Sequence, residues 1–263
     1  MVRALYSAAT GMEAQQLFMD TISNNLANVN TTGFKRSKIE FQDLMYQTLK
    51  EPGVKDSEGG MAPSGIEVGL GVKPSATQRL FDQGSLTQTG NSLDVAIQGD
   101  GFYQINMPDG TIAYTRDGTF KTSSDGTIVN SSGYPLSPQI TIPSGAQQLG
   151  ISTDGKVTAV MPGQSTSTQL GQIELARFVN PEGLTGLSGN LYGVSDASGE
   201  PTLQVPGQNG IGTLQQGYTE ASNVQMVDEM VNMISAQRAY EIVAKTITVS
   251  DQMMQTTNSM KST

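Results

Sequence analysis

The chain of 263 residues contains no cysteine, no histidine and no tryptophan, and only 15% of it is charged. Without cysteine there is no disulfide, no thiolate metal site and no thiol nucleophile. Without histidine the commonest general base is missing. No window approaches the roughly 18 consecutive apolar residues of a membrane helix. The net charge of −9 argues against a nucleic-acid footprint, which needs a clustered basic face. The one basic run, Lys35-Arg36-Lys38, reads as a solvated face. A cysteine-free chain also suits a protein that crosses a membrane unfolded. The stretch from Met1 to Met12 is too short in apolar residues for a secretory leader, and Glu13 follows it. The expectation is a cytoplasmic chain or one exported without a cleaved leader.

What replaces charge is glycine (30 residues) with Ser, Thr, Asn and Gln. A polar, weakly charged surface can enter many subunit contacts at little desolvation cost. The two ends are different in character. Leu5, Met12, Met19 and Leu26 recur every seven residues, and Ala8, Gln15, Ile22 and Val29 supply a second position of the seam. This spacing predicts an amphipathic helix over residues 3–28, ending in the turn-prone stretch Asn28-Val29-Asn30-Thr31-Thr32-Gly33. From Ser222 to Met260 there is no Gly and no Pro, with a cap expected at Ser222 or Asn223. Two apolar stripes run along this segment. Val224, Val227, Val231 and Ile234 form one; Met226, Met233, Tyr240, Ile247 and Met254, joined by Ala236 and Val243, form the other. Positions 224 and 226 lie about 200° apart around a helix, so the stripes face opposite ways. Two stripes require neighbours on two sides, and a second subunit is expected to cover the Met233 stripe.

Between the ends, residues 40–49 suggest a short helix and residues 51–65 an extended Gly/Pro-rich loop. From Ile66 to about Leu214 short alternating or apolar runs separated by turn signals predict strands. Asp-Gly occurs at Asp100, Asp109, Asp117, Asp125 and Asp154. No Asp-x-Asp-x-Asp-Gly spacing accompanies them, so tight hairpins and not calcium loops are expected. The fold class is therefore α+β: N- and C-terminal helices paired as a coiled-coil stem, with a β-rich middle inserted between them. No Ser-x-x-Lys pair stands out, and the carboxylates are scattered. A filament-forming structural subunit is the leading reading, with no catalytic residue, metal or cofactor expected. A secreted β-rich binding protein explains the middle but not the matching ends. A carboxylate hydrolase needs two converging acids, which sequence alone does not exclude.

The stretch from Asn24 to Arg36 (NNLANVNTTGFKR) resembles the N-terminal signature of the bacterial flagellar rod and hook axial proteins, carried by Asn25, Leu26, Asn28, Thr31, Gly33, Phe34, Lys35 and Arg36. Ser222-Asn223-Val224, Glu229 to Ile234 and Gln237-Arg238-Ala239-Tyr240-Glu241 are similar to the matching C-terminal signature. The motifs around Gly71 to Pro74, Gln83 to Leu86, Asp94 to Ile97, Gly99 to Phe102 and Tyr114 to Gly118 resemble the distal-rod branch, over essentially the whole chain. A proximal rod or hook-like member is the nearest alternative. Ile242-Val243-Ala244 departs from the pattern, in which Asn and Ser more often follow the Ile; this touches local packing only.

The resemblance implies a hollow helical rod that crosses the periplasm and turns the hook. It implies proximal rod proteins, the hook protein and the surrounding P- and L-ring proteins as neighbours, and delivery by the flagellar type III export apparatus. It implies no nucleic acid and no membrane insertion. Residues 1–35 with 220–263 would form an inner tube, 36–85 with 190–219 a connecting region, and 86–189 an outer β-rich domain. The loop over 46–65 is associated in this family with a straight, stiff rod. A single seam on the first helix leaves it near energetic balance, so both ends are expected to order on polymerisation.

Overall fold

The computed structural model describes residues 2–52, 64–163 and 166–261. Most of the expected loop over 51–65 lies outside the described residues. The chain gathers into two compact units, residues 1–27, 37–78 and 225–263 in the first and residues 28–36 and 79–224 in the second. The sequence suggested three parts.

In the first unit, helix α1 spans Val2–Ala27 and helix α2 spans Met226–Lys261. At 36 residues, α2 is roughly 54 Å long. The two helices pack against each other. Gly11 faces the contact, since a β-carbon there would lie 3.8 Å from Val243 Cγ1. Buried Ala8 and Ala14 on α1 and Ala236 on α2 show that much of the covered surface is made of small side chains.

Four strands accompany the helices: β1 (Ser37–Asp43), β2 (Tyr46–Lys50), β3 (Ile66–Gly69) and β4 (Val72–Arg79). β1 pairs with β4, and β2 with β3 in an antiparallel ribbon. The short helix expected over 40–49 is thus two strands. Lys38-Ile39-Glu40-Phe41 alternates with a period of two, Ile39 is buried, and the partners that satisfy its backbone come from residues 66–79. Phe41 meets Phe18 of α1 edge-on, with ring centroids 6.4 Å apart.

α2 begins later than expected. Glu229 N–H donates to Gln225 O at 3.1 Å, so the first turn opens at Met226. Neither Ser222 nor Asn223 caps it, because the Asn223 amide is committed to other backbone groups. Asp228 and Glu229 in the first turn suit the positive end of the helix dipole.

Among its described residues the second unit is built of strands, with one 3-10 turn at Pro181–Gly183. Its strands are β5 (Leu86–Gln88), β6 (Val95–Gln98), β7 (Tyr103–Asn106), β8 (Ile112–Thr115), β9 (Lys121–Thr122), β10 (Ile128–Val129), β11 (Leu136–Ser137) and β12 (Gln148–Ile151). They continue as β13 (Lys156–Val160), β14 (Ser167–Gln172), β15 (Leu175–Arg177), β16 (Thr185–Gly186), β17 (Leu191–Gly193), β18 (Thr202–Gln204), β19 (Thr213–Gln216) and β20 (Tyr218–Glu220). A five-stranded sheet in the order β11-β7-β8-β17-β16 is central, beside a three-stranded sheet β12-β13-β14 and four two-stranded pairs.

Period two along β7 and β8 makes two cores. Tyr103, Ile105 and Ala113 join Val95, Ile97, Phe120 and Leu136 in the larger one. Phe102 and Tyr114 point the other way, into an aromatic cluster with Phe178 and Tyr192. Three of the five Asp-Gly pairs turn hairpins between paired strands: Asp109 (β7–β8), Asp125 (β9–β10) and Asp154 (β12–β13). Asp100 and Asp117 do not. They join strands of different sheets, and their glycines lack the φ near +80° that Gly110, Gly126 and Gly155 take in the hairpins.

Candidate functional site

The N-terminal signature does two separate things. Asn25, at the end of α1 and buried, uses its side-chain amide as a piece of strand: Nδ2 donates to Ser37 O and Oδ1 accepts from Ser37 N–H, both at 2.9 Å. Asn28 O accepts from Thr31 N–H at 3.1 Å in the turn that follows the helix. Gly33 then takes φ +68°, the left-handed region. A β-carbon there would also lie 2.8 Å from Asp117 N, so glycine is required twice over.

Lys35 corrects the reading of the basic run. Its side chain is fully buried, not solvated. Nζ donates to Asp82 O at 2.6 Å and to Glu220 Oε1 at 2.7 Å. Glu220, also fully buried, accepts from Gly84 N–H at 2.9 Å on Oε1 and from Arg116 Nε at 3.0 Å on Oε2. Arg116 spends the rest of its fork on Gly99 O (2.8 Å) and Gly101 O (2.7 Å). One carboxylate therefore serves two cations and one backbone amide. A buried charge is tolerated only when so compensated. Burial pulls the Lys35 ammonium below the usual lysine range; Glu220 opposes the shift and Arg116 adds to it. Phe34 is half-buried beside this cluster in sequence, and Arg36 N–H donates to Asn223 Oδ1 at 2.7 Å.

Sequence reasoning named Lys35 and quoted Arg116 and Asn223 within motifs, but it missed Glu220. In a chain so poor in charge, an acid set between Thr219 and Ala221 at the end of a strand pattern was the available signal.

The helix faces divide the expected interface residues. On α1, Ile22 is buried and Leu5, Met12, Met19 and Leu26 are half-buried. On α2, Met233, Ile247 and Met254 are half-buried on the side that carries Ala236 and Val243. Tyr240 stands at the edge of that side, and Gln237 and Arg238 are exposed. Val224 is not on α2 at all; it precedes the helix and is buried in the second unit. Met226, Val227, Val231 and Ile234 are exposed, Val227 to 73%. The outward line continues through Ile242, Val249, Met253 and Met260, all exposed. From Val227 onward the steps of three, four or sums of these are those of one helical stripe, with Met226 to one side of it.

Residues 5–35 match the flagella basal body rod protein family, residues 96–159 the flagellar hook protein FlgE/F/G D1 domain, and residues 215–260 the flagellar basal body rod FlgEFG protein C-terminal family. The flagellar basal-body rod protein FlgG of Buchnera aphidicola subsp. Acyrthosiphon pisum is 50% identical over 255 residues, covering 97% of this chain and 98% of that one. Its counterpart in Borreliella burgdorferi is 49% identical over 263 residues, 99% of each chain. That of Bacillus subtilis is 38% identical over 260 residues, 97% of each. The chain belongs to the FlgG family of flagellar basal-body rod proteins. As a FlgG-family member it is a structural subunit of the flagellar rod, and it acts in motility. The family relation also gives the buried cluster a place: Lys35, Arg116 and Glu220 come one each from the three matched segments.

Proposed function

We propose that copies of this chain stack into a hollow helical drive shaft, with α1 and α2 pairing as a coiled coil around the bore and the β unit outward. The shaft transmits torque from motor to hook and passes exported subunits through its bore. It crosses the periplasm among proximal rod, hook and P- and L-ring proteins, and its subunits arrive through the type III export apparatus.

The observation that carries this reading is the outward stripe of α2. Val227, Val231, Ile234 and Ile242 are each at least half exposed on a helix whose other side already packs on α1. Full burial of an exposed side chain of this kind is worth roughly 1.5–3 kcal/mol, and covering the part of each that is still exposed recovers about half of that or more. A stripe of this length is covered when another copy lays a helix along it.

Purified chain carrying Ile234→Asp, concentrated and viewed by negative stain, gives the test. Wild-type protein forms tubes and the variant does not, while the β unit unfolds at the same temperature in both. Tubes from the variant would sink the assignment of this face. Met233→Asp is the contrasting variant: Met233 lies on the α1 side, so it weakens helix pairing within the chain. Ordering of the terminal helices on polymerisation is read by circular dichroism, as higher helicity per residue in tubes than in dilute monomer.

A further inference from the structure

The chain passes between its two units four times: after residues 27, 36, 78 and 224. On the β unit's side, these crossings are flanked by three short segments, residues 28–36, 79–84 and 220–224. All three are bound to one another by the same few side chains. Lys35 Nζ reaches Asp82 O and Glu220 Oε1. Glu220 Oε1 holds Gly84 N–H, and its backbone carbonyl accepts from Gly33 N–H at 2.8 Å. Asn223 accepts from Arg36 N–H and donates to Leu80 O at 2.9 Å and Asp82 O at 3.1 Å. Leu80 N–H donates to Arg36 O at 2.9 Å.

We propose that Glu220 is a latch, a positioning residue that makes these three segments open and close as one unit, separately from the sheets of the β unit. The chemistry explains why a carboxylate is needed. Three donors converge on two oxygens: Lys35 Nζ and Gly84 N–H on Oε1, Arg116 Nε on Oε2. A glutamine has one oxygen, and its NH₂ would face a donor in either orientation. Neutralising Glu220 also strands Lys35 and Arg116, two buried cations with no anion between them. The least costly escape is withdrawal of Lys35, which carries Gly33 and Arg36 with it and removes the Arg36 N–H that donates to Asn223 Oδ1. The central strands keep their own ladders throughout.

Hydrogen exchange on the dilute full-length chain reads the latch directly and is independent of polymerisation. With Glu220→Gln, the amides of Gly33, Arg36, Leu80, Gly84 and Ala221 should exchange faster together, by on the order of 100-fold. The amides of Tyr103 and Ile105 should change by less than about twofold. Lys35→Met should raise the same set less, because Glu220 keeps Arg116 and Gly84. The double variant should be no worse than Glu220→Gln alone, since the stranded ammonium is gone. Faster exchange confined to one segment overturns the proposal, and so does additive behaviour of the two substitutions. Should Glu220→Gln unfold the whole β unit, a Lys35→Met chain with no joint change at Gly33, Arg36 and Leu80 overturns it as well.

Discussion

Lys35 and Glu220, 185 residues apart in the chain, meet at 2.7 Å with neither side chain reaching solvent. The pair closes the β unit around the two points where the terminal segments leave it. With Arg116 it forms a cluster of two cations and one anion, held by desolvated, charge-assisted hydrogen bonds. Such a cluster adds less to net stability than to uniqueness of arrangement, because its desolvation offsets much of its attraction.

Gly33→Ala should destabilise the β unit by about 1–3 kcal/mol. The added methyl meets the Asp117 backbone, and the left-handed φ disfavours any L side chain. Urea unfolding followed by tyrosine fluorescence measures it; an unchanged midpoint would refute the packing described here.

Gly11→Ala should do the reverse. A β-carbon at 3.8 Å from Val243 Cγ1 is in ordinary contact, and alanine in a helix interior is favoured over glycine by roughly 0.5–1 kcal/mol. Far-UV circular dichroism of the polymer should show the terminal helices melting later. Gly11→Leu should undo the gain by forcing the helices apart.

Ile97→Ala removes a side chain with no solvent exposure from the larger core and should cost about 2–5 kcal/mol. Ile112→Ala, in β8 but 44% exposed, should cost well under half of that. Thermal unfolding of the two variants side by side gives the ranking; equal losses would place the core wrongly.

Alkaline pH should act on stability in two opposite directions. Lys35 loses its proton more readily folded than unfolded. The unfolded chain thus binds more protons between that lowered value and 10.5, and stability rises with pH there. Tyr103 is the converse case. Burial holds its hydroxyl, which donates to Val95 O at 2.7 Å, well above 10.0. Its contribution is complete below pH 10.0 and is lost as pH rises beyond it, because the unfolded phenol ionises first. Unfolding free energies across pH 8–12 should lose the rise in Lys35→Met and lessen the fall in Tyr103→Phe; identical curves in all three proteins would count against both assignments.

Much of the fold was legible in residue spacing. The seven-residue recurrence of Leu5, Met12, Met19 and Leu26 located α1, and the absence of Gly and Pro after Ser222 located most of α2. The contrast between Val231 and Met233 was legible as well, since residues two apart on a helix cannot share a face. Which stripe turned outward was not: the Met233 stripe was expected to meet a second subunit, but Met233, Ile247 and Met254 are half-buried and the Val227 stripe is the exposed one. That depended on whether α1 came to lie over Ala236 and Val243. The strands over 37–50 were also hidden, because short mixed segments take their conformation from partners, here residues 66–79.

By itself, the sequence determined the two terminal helices, the β character between them, the hairpin turns at Asp109, Asp125 and Asp154, and the family. Each of these rests on interactions between residues close in the chain, or on motifs that survive being read one residue at a time. Only the tertiary structure decided that Lys35 is buried, that Glu220 is its partner, and that Asn223 ties backbone where a helix cap was expected. Those facts depend on residues 47 to 187 positions apart meeting in a dry site, where a charge that would be ordinary on the surface must find its counter-charge.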